Sequence, residues 1–213
     1  MKWLPGALTL VLPFLIQIRP IQAAKGLQGL QSIHSEALHT TIGLAFPESS
    51  SNAFQNDFLV NITTSIPYGY AGFTASPANF STKSFAVTSF IWSKTLSAVP
   101  VMVYSTANST DSGLVTTDSG TVTPSNLTWI TSDTASFLFR CQNCSINASP
   151  FEYSENQFPL AMIKSVDTPG YPKGDDGEII LSLDNLMTVD MVFNVTAART
   201  SDYNLLLEAA GVL

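Results

Sequence analysis

The two cysteines of the chain lie close together, in the motif Cys141-Gln-Asn-Cys144. In an oxidising compartment such a pair forms a disulfide, and because the ring is short the bond removes little entropy from the unfolded chain. A redox-active Cys-x-x-Cys motif is typical of a βαβ unit, whereas this motif follows the strand-like run 136–140. A zinc site would need two more ligands nearby. We predict a local structural disulfide.

Histidine and methionine offer few metal ligands. His34 and His39 are the only histidines and precede the first predicted strand, and we interpret them as exposed and unpaired rather than as a weak metal site. A copper-dependent polysaccharide oxygenase would need a histidine at the mature N-terminus, which is predicted at Lys25 or Ala24. Methionine in apolar runs usually fills core space rather than ligating iron, and we adopt this interpretation for Met102, Met162, Met187 and Met191.

The acidic and hydroxyl side chains form no recognisable catalytic set. The cluster Asp175-Asp-Gly-Glu178 has the oxygen ligands that Ca²⁺ prefers, but its spacing matches no EF-hand loop, so we favour a solvated acidic loop. The chain has no Gly-x-Ser-x-Gly nucleophile motif, and no histidine follows His39 to act as the base for a serine. Glu152 and Glu155 are a conceivable glycosidase pair, but nothing in the sequence brings them together. We predict no catalytic residues and no metal site.

Aromatic side chains are candidates for stacking on sugar rings. A stacking role would require their ring faces to be exposed, whereas aromatic residues in sandwich strands more often fill the core. We favour the core interpretation for Trp92, Trp129, Tyr68, Tyr70 and Tyr171.

Short strand-like runs must position all of these residues. The runs are rich in Val, Ile, Thr, Phe and Tyr and are separated by Ser, Asn, Gly and Pro, which is typical of antiparallel strands. Their number and spacing indicate two sheets that each bury one face against the other. We therefore predict an all-β fold, an immunoglobulin-like two-sheet antiparallel β-sandwich with a short C-terminal helix. The runs are 42–46, 58–63, 68–73, 85–92, 100–104, 127–131, 136–140, 158–164, 178–183 and 188–195.

The helix is expected close to the C-terminus. Thr200 or Ser201 can cap it, and Asp202 favours the positive N-terminal end of the helix dipole. Residues 205–210 are good helix formers, and Gly211 would end the helix.

The first residues of the chain predict a secretory signal peptide. Lys2 provides the positive start, an apolar run interrupted by Pro13 follows, and Ala23-Ala24 supplies small residues for cleavage. The apolar run is short and contains proline, which argues against a membrane-spanning helix, and the apolar tail at the C-terminus is too short for a lipid-anchor signal. We divide the chain into a signal peptide 1–24, a polar lead-in 25–41 and a sandwich domain 42–213.

Cleavage would remove two basic residues and no acidic ones, which changes the formal net charge from −7 to about −9. An acidic chain without a basic run cannot neutralise phosphates, and anionic lipid surfaces repel it. We therefore predict neither nucleic-acid nor membrane partners. The remaining 189 residues suit one domain.

Seven Asn-x-Ser/Thr triplets follow the predicted signal peptide. A single match is weak, but this density in a secreted chain predicts N-glycosylation and marks surface positions. The triplets at 143 and 147 lie too close together for both to be modified readily. The candidate glycosylation sites are Asn61, Asn79, Asn108, Asn126, Asn143, Asn147 and Asn194.

The order of several motifs resembles a known family. Tyr70-Ala-Gly72 is followed by a long apolar strand that ends at Trp92, then by Phe139-Arg-Cys-Gln-Asn-Cys144, and finally by Thr200-Ser-Asp-Tyr203 at the start of the terminal helix. This pattern, over residues 43–211, is similar to the cytochrome domain of fungal cellobiose dehydrogenase, a DOMON-like domain.

The resemblance implies a sandwich that holds haem b at one end through a methionine and a histidine and passes single electrons to oxidative polysaccharide-degrading enzymes. This chain departs from the family at both ligands. After Ala71-Gly72 the family has a Gly-Gly-x-Met turn, whereas the methionine position here falls near Asn79, and no histidine follows His39. Strong axial ligands for a low-spin haem are therefore not evident. We expect no cofactor, with haem b as the alternative.

An end of the sandwich without haem would leave room for another ligand. We expect a candidate pocket there for an apolar or sugar-like molecule, with walls formed by Tyr68, Tyr70, Phe73 and Met187. The predicted function is that of a secreted, extracellular, haem-less ligand-binding or accessory module near polysaccharide or the cell wall, without independent catalytic activity. The alternative is a haem b electron-transfer domain that serves oxidative polysaccharide degradation, which alone would require a redox partner.

Overall fold

A computed structural model describes residues 27–48, 57–74, 84–92, 95–104, 113–116, 121–142, 144, 157–167, 180–182 and 184–213. Within these ranges the chain forms fourteen strands and two short helices. The strands are β1 (Gln31–Ser35), β2 (Thr40–Pro47), β3 (Asp57–Ser65), β4 (Tyr70–Thr74), β5 (Ser84–Trp92), β6 (Thr95–Tyr104), β7 (Gly113–Thr116), β8 (Thr121–Pro124), β9 (Trp129–Ile130), β10 (Thr134–Gln142), β11 (Gln157–Ser165), β12 (Ile180–Ser182), β13 (Met187–Asn194) and β14 (Arg199–Thr200). The helices are α1 (Val195–Ala198) and α2 (Tyr203–Ala210).

The strands form two sheets. The first sheet has the order β1-β2-β3-β10-β8, with β9 paired to β10 and β14 paired to β2. The second has the order β12-β7-β6-β5-β4-β11-β13. All described pairs are antiparallel except the short β14–β2 pair. The predicted all-β, two-sheet antiparallel sandwich with a short C-terminal helix is confirmed.

The predicted polar lead-in 25–41 contains regular structure, because residues 31–35 form the edge strand β1 of the first sheet. Ile33 packs against the core, and its neighbour His34 is exposed on the other face. A single core-facing apolar residue in a polar five-residue run is too weak a pattern to predict a strand, so tertiary pairing with β2 decides the conformation.

The main core lies between the inner faces of the two sheets. In β3 the side chains of Phe58, Val60 and Ile62 alternate inward, as the period of a strand requires, and each is at most 1% exposed. From the facing sheet, Phe73 of β4 and Met162 of β11 complete the packing.

A second, smaller cluster lies on the outer face of the first sheet, where α2 packs. Tyr203 and Leu207 of α2 contact the outward-facing Leu59 and Leu138 of the sheet. Gly211 ends the helix in the left-handed conformation with φ 66°, which glycine adopts without strain. The predicted end of the helix is therefore confirmed. Asp202 is the N-cap residue, without a side-chain capping bond.

An ion pair joins this helix to the sheet. Arg140 of β10 donates from Nε to Asp57 Oδ1 over 2.9 Å and from Nη2 to Asp57 Oδ2 over 2.6 Å. The Tyr203 hydroxyl donates to the same carboxylate over 2.9 Å, and Arg140 Nη1 donates to the carbonyl oxygen of Val212 over 3.2 Å. The hydrogen bond to Asp57 raises the pKa of Arg140, so the guanidinium stays charged in the folded chain. We call these residues the α2 clasp.

Among the described residues, no helix has the length and apolar character needed to cross a membrane.

Replacement of Asp57 by asparagine tests the α2 clasp. The Asp57→Asn variant keeps the shape of the side chain but removes the charge that receives three hydrogen bonds, and we expect the free energy of unfolding to fall by about 2 kcal/mol. Urea unfolding of the purified variant measures this change. Asp190→Asn on the exposed face of β13 is the matched control, expected to change stability by less than about 0.5 kcal/mol. Equal stability of the two variants would contradict the role of the clasp.

Candidate functional site

One end of the sandwich carries the most unusual chemical group of the described residues, a buried lysine. Lys164 lies at the end of β11, and its side chain is 5% exposed. In β11, Leu160 and Met162 face the core, and the period of two places Lys164 on the same inner face. The β1–β2 turn and the chain after β3 close this end above it, and we call it the Lys164 end.

The Lys164 ammonium is bonded to three oxygens of the opposite sheet. Its Nζ donates to the carbonyl oxygen of Leu38 over 3.0 Å, to the carbonyl oxygen of Ser65 over 3.2 Å and to Ser65 Oγ over 2.8 Å. An ammonium has three N–H donors, so each of them has a partner here. Burial lowers the pKa of Lys164, but the saturated hydrogen bonding leaves no donor directed at a ligand. The geometry ties the two sheets together and does not form a reactive amine site.

Buried hydroxyls continue this polar contact along the first sheet. Thr40 Oγ1 donates to the Leu38 carbonyl oxygen over 3.0 Å and lies 2.8 Å from Thr64 Oγ1. Because buried polar groups are costly without partners, these bonds explain how polar side chains are accommodated between two sheets.

The four residues predicted to line a pocket do not converge on one space. Tyr68 and Phe73 belong to the core between the sheets and are 6% and 1% exposed. Tyr70 and Phe73 are three positions apart on β4, so their side chains lie on opposite faces of the sheet. Only Met187, which pairs with Lys164 across β13 and β11, has substantial exposure, at 43%.

Tyr70 is a buried anchor on the outer face of the second sheet. Its hydroxyl donates to the carbonyl oxygen of Ser182, which attaches the segment before β13 to this face. Burial raises the pKa of Tyr70, so its phenol is neutral at physiological pH and serves as a hydrogen-bond donor.

Two of the four pocket residues lie at the end of β4 opposite to Thr74, whereas Phe73 is next to Thr74. Tyr68 and Met187 lie at the Tyr70 end of β4, which is the Lys164 end. The chain toward Asn79 leaves β4 at its other end, after Thr74. Asn79 itself lies outside the described residues.

Both histidines lie at the first sheet. His34 is exposed on the outer face of β1, where its Nδ1 is 2.8 Å from Thr41 Oγ1 and its Nε2 is 3.4 Å from Glu36 Oε1. His39 is exposed in the β1–β2 turn with φ 47°. The prediction that both are exposed is confirmed, whereas His34 is not unpaired, because it contacts Thr41 and Glu36.

Met162 and Met191 point toward the core, away from the outer face that carries His34. Met162 is fully buried and Met191 packs against the same core, both on the inner face of the second sheet. Haem b needs two axial ligands on opposite sides of one ring. His34 is separated from Met162 and Met191 by the first sheet, so these described donors do not supply a facing pair. The side chain of Met102 is outside the described part of the chain.

The cysteine motif forms the predicted disulfide between Cys141 and Cys144. Both cysteines are fully buried at the end of β10, and reactive cysteines need solvent access. The local structural role is therefore the one that the geometry supports. In the part of the chain that the structure describes, no group of three or more His, Cys, Asp or Glu side chains lies close enough to hold a metal ion.

The structure describes only some of the remaining sequence candidates. Trp129 is partly exposed on β9, and Trp92 belongs to β5 with a side chain that is not described. The candidates outside the description are Glu152, Glu155, Tyr171 and the acidic cluster 175–178.

Three of the candidate glycosylation sites lie on described surfaces. Asn126 is exposed in the turn after β8, and exposed Asn194 accepts a hydrogen bond from the Ala197 N–H at the start of α1. Asn61 is partly exposed on the outer face of β3. The sites outside the described ranges are Asn79, Asn108, Asn143 and Asn147.

Comparison with protein families identifies the fold. The model of the cytochrome domain of cellobiose dehydrogenase matches residues 25–204. This chain belongs to that family. Its fold is similar to the cytochrome b domain of pyranose dehydrogenase from Coprinopsis cinerea, with a TM-score of 0.64, 13% identity, and coverage of 85% of this chain and 89% of the other.

The fold is likewise similar to the cytochrome domain of Myriococcum thermophilum cellobiose dehydrogenase, with a TM-score of 0.57, 18% identity, and coverage of 85% of this chain and 89% of the other. No match was found among curated protein sequences. The cellobiose dehydrogenase cytochrome family predicted from the motif order is confirmed, and the two structural likenesses support the fold.

Sequence reasoning missed Lys164 and the α2 clasp. The signal for Lys164 was present, because Leu160, Met162 and Lys164 alternate along one strand face. Asp57 and Arg140 gave no such signal, because only the pairing of β3 with β10 places them side by side.

The lowered pKa of Lys164 predicts that the stability of the protein depends on pH. Comparison with the Lys164→Met variant isolates this effect. Because burial lowers its pKa below the ordinary value of 10.5, the unfolded chain binds more protons than the folded chain in the window below about 10.5, and stability gained from this group rises with pH there. We expect the free energy of unfolding of the wild type, minus that of Lys164→Met, to become more positive from pH 8 to pH 10.5.

Urea unfolding at several pH values measures this difference. The tyrosines titrate identically in both proteins, so their effects cancel. A difference that stays constant between pH 8 and pH 10.5 would contradict a lowered pKa for Lys164.

Proposed function

We propose that this chain is a haem-less accessory module, secreted from the cell, that binds at or near polysaccharide or the cell wall. Membership in the cellobiose dehydrogenase cytochrome family supports a setting of extracellular polysaccharide degradation. The departures of this chain from the family's ligand pattern support the loss of the cofactor. Loss of cofactor ligands leaves a fold in place while its activity changes.

The placement of His34 on the outer face of the first sheet is the observation that carries the proposal. The chain has two histidines; His34 faces outward from the first sheet and is engaged by Thr41. The methionines with described side chains on β11 and β13 belong to the second sheet. Axial ligands come from opposite sides of one ring, and the first sheet separates His34 from these methionines, which argues against a pair formed with His34.

Packing of the described core supports the same proposal. Aromatic and aliphatic side chains such as Phe73, Phe137 and Phe139 are at most 2% exposed between the sheets. Burial of this apolar surface stabilises the sandwich without a prosthetic group. A binding role at the surface is compatible with this packing.

The alternative is a haem b electron-transfer domain, and one observation favours it. His39 and Met187 are both exposed at the Lys164 end. The Lys164 ammonium contacts the carbonyl of Leu38, the neighbour of His39, and Lys164 pairs with Met187. These are the two residues that would hold an iron in this alternative.

Absorption spectra and polysaccharide retention of the purified secreted protein separate these functions. We expect no Soret band as isolated and no sharp reduced α-band after incubation with hemin and dithionite. We also expect retention on at least one of insoluble cellulose, chitin and xylan, measured by depletion from the supernatant. Bovine serum albumin serves as the control for nonspecific retention.

A low-spin reduced spectrum in the wild type that is lost in both His39→Ala and Met187→Ala would overturn the haem-less proposal and establish the alternative. Retention no greater than that of albumin on all three polymers would overturn the polysaccharide part. His34→Ala is the matched control for the spectra, because His34 lies on a different face and should leave any haem signal unchanged.

A further inference from the structure

The outer face of the first sheet has two halves of different character. One half is covered by α2, which packs on Leu59 and Leu138 and is held by the α2 clasp. The other half carries a single line of polar and aromatic side chains. The registers pair His34 with Thr41, Thr41 with Thr63, Thr63 with Ser136 and Ser136 with Trp129. We call these five residues the polar row.

The side chains of the polar row share one face, and two pairs of them are within hydrogen-bond distance. Directly paired residues of adjacent strands lie on the same side of a sheet, and the inward-facing neighbours Ile62 and Phe137 belong to the core. His34 Nδ1 lies 2.8 Å from Thr41 Oγ1, and Thr63 Oγ1 lies 2.9 Å from Ser136 Oγ. The row is thus an ordered set of hydroxyls with an imidazole at one end and an indole at the other.

Asn61 lies beside the middle of this row. It is two positions before Thr63 on β3 and therefore on the same face, and Asn61-Ile62-Thr63 is an N-glycosylation triplet. The Ser136 hydroxyl donates to Asn61 Oδ1 over 2.8 Å. An N-glycan is attached through the amide nitrogen, which leaves Oδ1 free to accept. This hydrogen bond therefore remains possible after modification and orients the amide nitrogen away from Ser136.

The other described triplets have different surroundings. Asn194 uses its Oδ1 to cap α1, and Asn126 lies in an exposed turn, where its amide is close to Gly211. Of the three described sites, only Asn61 stands on a sheet face with a line of hydroxyls around it. A sugar attached here has a surface to lie on, whereas a sugar at the other two sites projects from a turn or a helix start.

We propose that Asn61 carries an N-glycan and that the polar row is the surface on which its first sugars rest. N-acetylglucosamine presents hydroxyl and acetamido groups, which suit the partly exposed Thr63 and Thr41, and an apolar ring face, which suits the partly exposed indole of Trp129. Ser136 is only 5% exposed and contributes by bonding to Thr63 and Asn61. β3 and β9 are separated by two strand spacings, about 10 Å, a span that a core oligosaccharide covers. The chain's own glycan, rather than an external polysaccharide, occupies this half of the face. This inference is independent of the proposed polysaccharide function.

Site occupancy is the first test. The full chain is secreted from a eukaryotic host, and its proteolytic peptides are analysed by mass spectrometry before and after enzymatic removal of N-glycans. We expect a glycan on Asn61 in the wild type and in Thr63→Ser, which keeps both the triplet and the hydroxyl. Asn61→Gln and Thr63→Ala should each lose that glycan. An unmodified Asn61 in the secreted wild-type chain would overturn the proposal, whether or not the variants fold.

Quenching of tryptophan fluorescence by acrylamide tests the contact with the row. Enzymatic deglycosylation under native conditions should increase the quenching of the wild type, because it uncovers Trp129. Trp129→Phe and Asn61→Gln should lose this increase, whereas Asn126→Gln should keep it. An increase of equal size in Trp129→Phe would show that the sugars do not rest on the row and would overturn that part.

Retention on insoluble polysaccharide tests whether an external polymer, rather than the glycan of Asn61, occupies the polar row. If an external polymer bound the row, Trp129→Phe would lose retention while the wild type kept it. That result would overturn the assignment of this face to the glycan of Asn61. Retention unaffected by Trp129→Phe supports the assignment.

Discussion

The ion pair between Asp57 and Arg140 determines which part of the outer face of the first sheet is covered by α2 and which part is exposed to solvent. Both residues lie at one end of the paired strands β3 and β10, and the carboxylate also receives the hydroxyl of Tyr203. A bidentate arginine–carboxylate pair has a defined geometry as well as a favourable energy. It therefore fixes where α2 lies, and the position of α2 determines which half of the outer face is apolar and covered and which half can be polar.

At the opposite end of the sandwich, the hydrogen bonds of a buried lysine hold the two sheets together. Lys164 spans the interface and bonds to three oxygens. A buried ammonium contributes little net stability, because desolvation offsets much of the hydrogen bonding, yet it penalises any arrangement that leaves it without partners. We interpret Lys164 as a residue that specifies how the sheets align at this end, and its saturated geometry explains why a buried lysine here need not be catalytic.

The sequence predicted the strands with a clear apolar alternation, the terminal helix and the disulfide, because each depends on local pattern. It did not predict β1, whose pairing with β2 outweighs its polar composition, and it gave Tyr70 and Phe73 a common pocket although the period of a strand separates them. Residues brought together from distant parts of the chain, such as Asp57 with Arg140, carry no local signal. The same limit applies to the polar row, whose five members come from five strands and become one surface only when the registers are known.

Apolar packing between the two sheets stabilises the sandwich. The described core contains aromatic and aliphatic side chains of the chain itself, such as Phe58, Phe139 and Ile62, each at most 1% exposed. The proposed loss of haem ligands would leave this packing in place while the activity changes. Under the proposed accessory function, binding would take place on the outer faces of the sheets rather than between them.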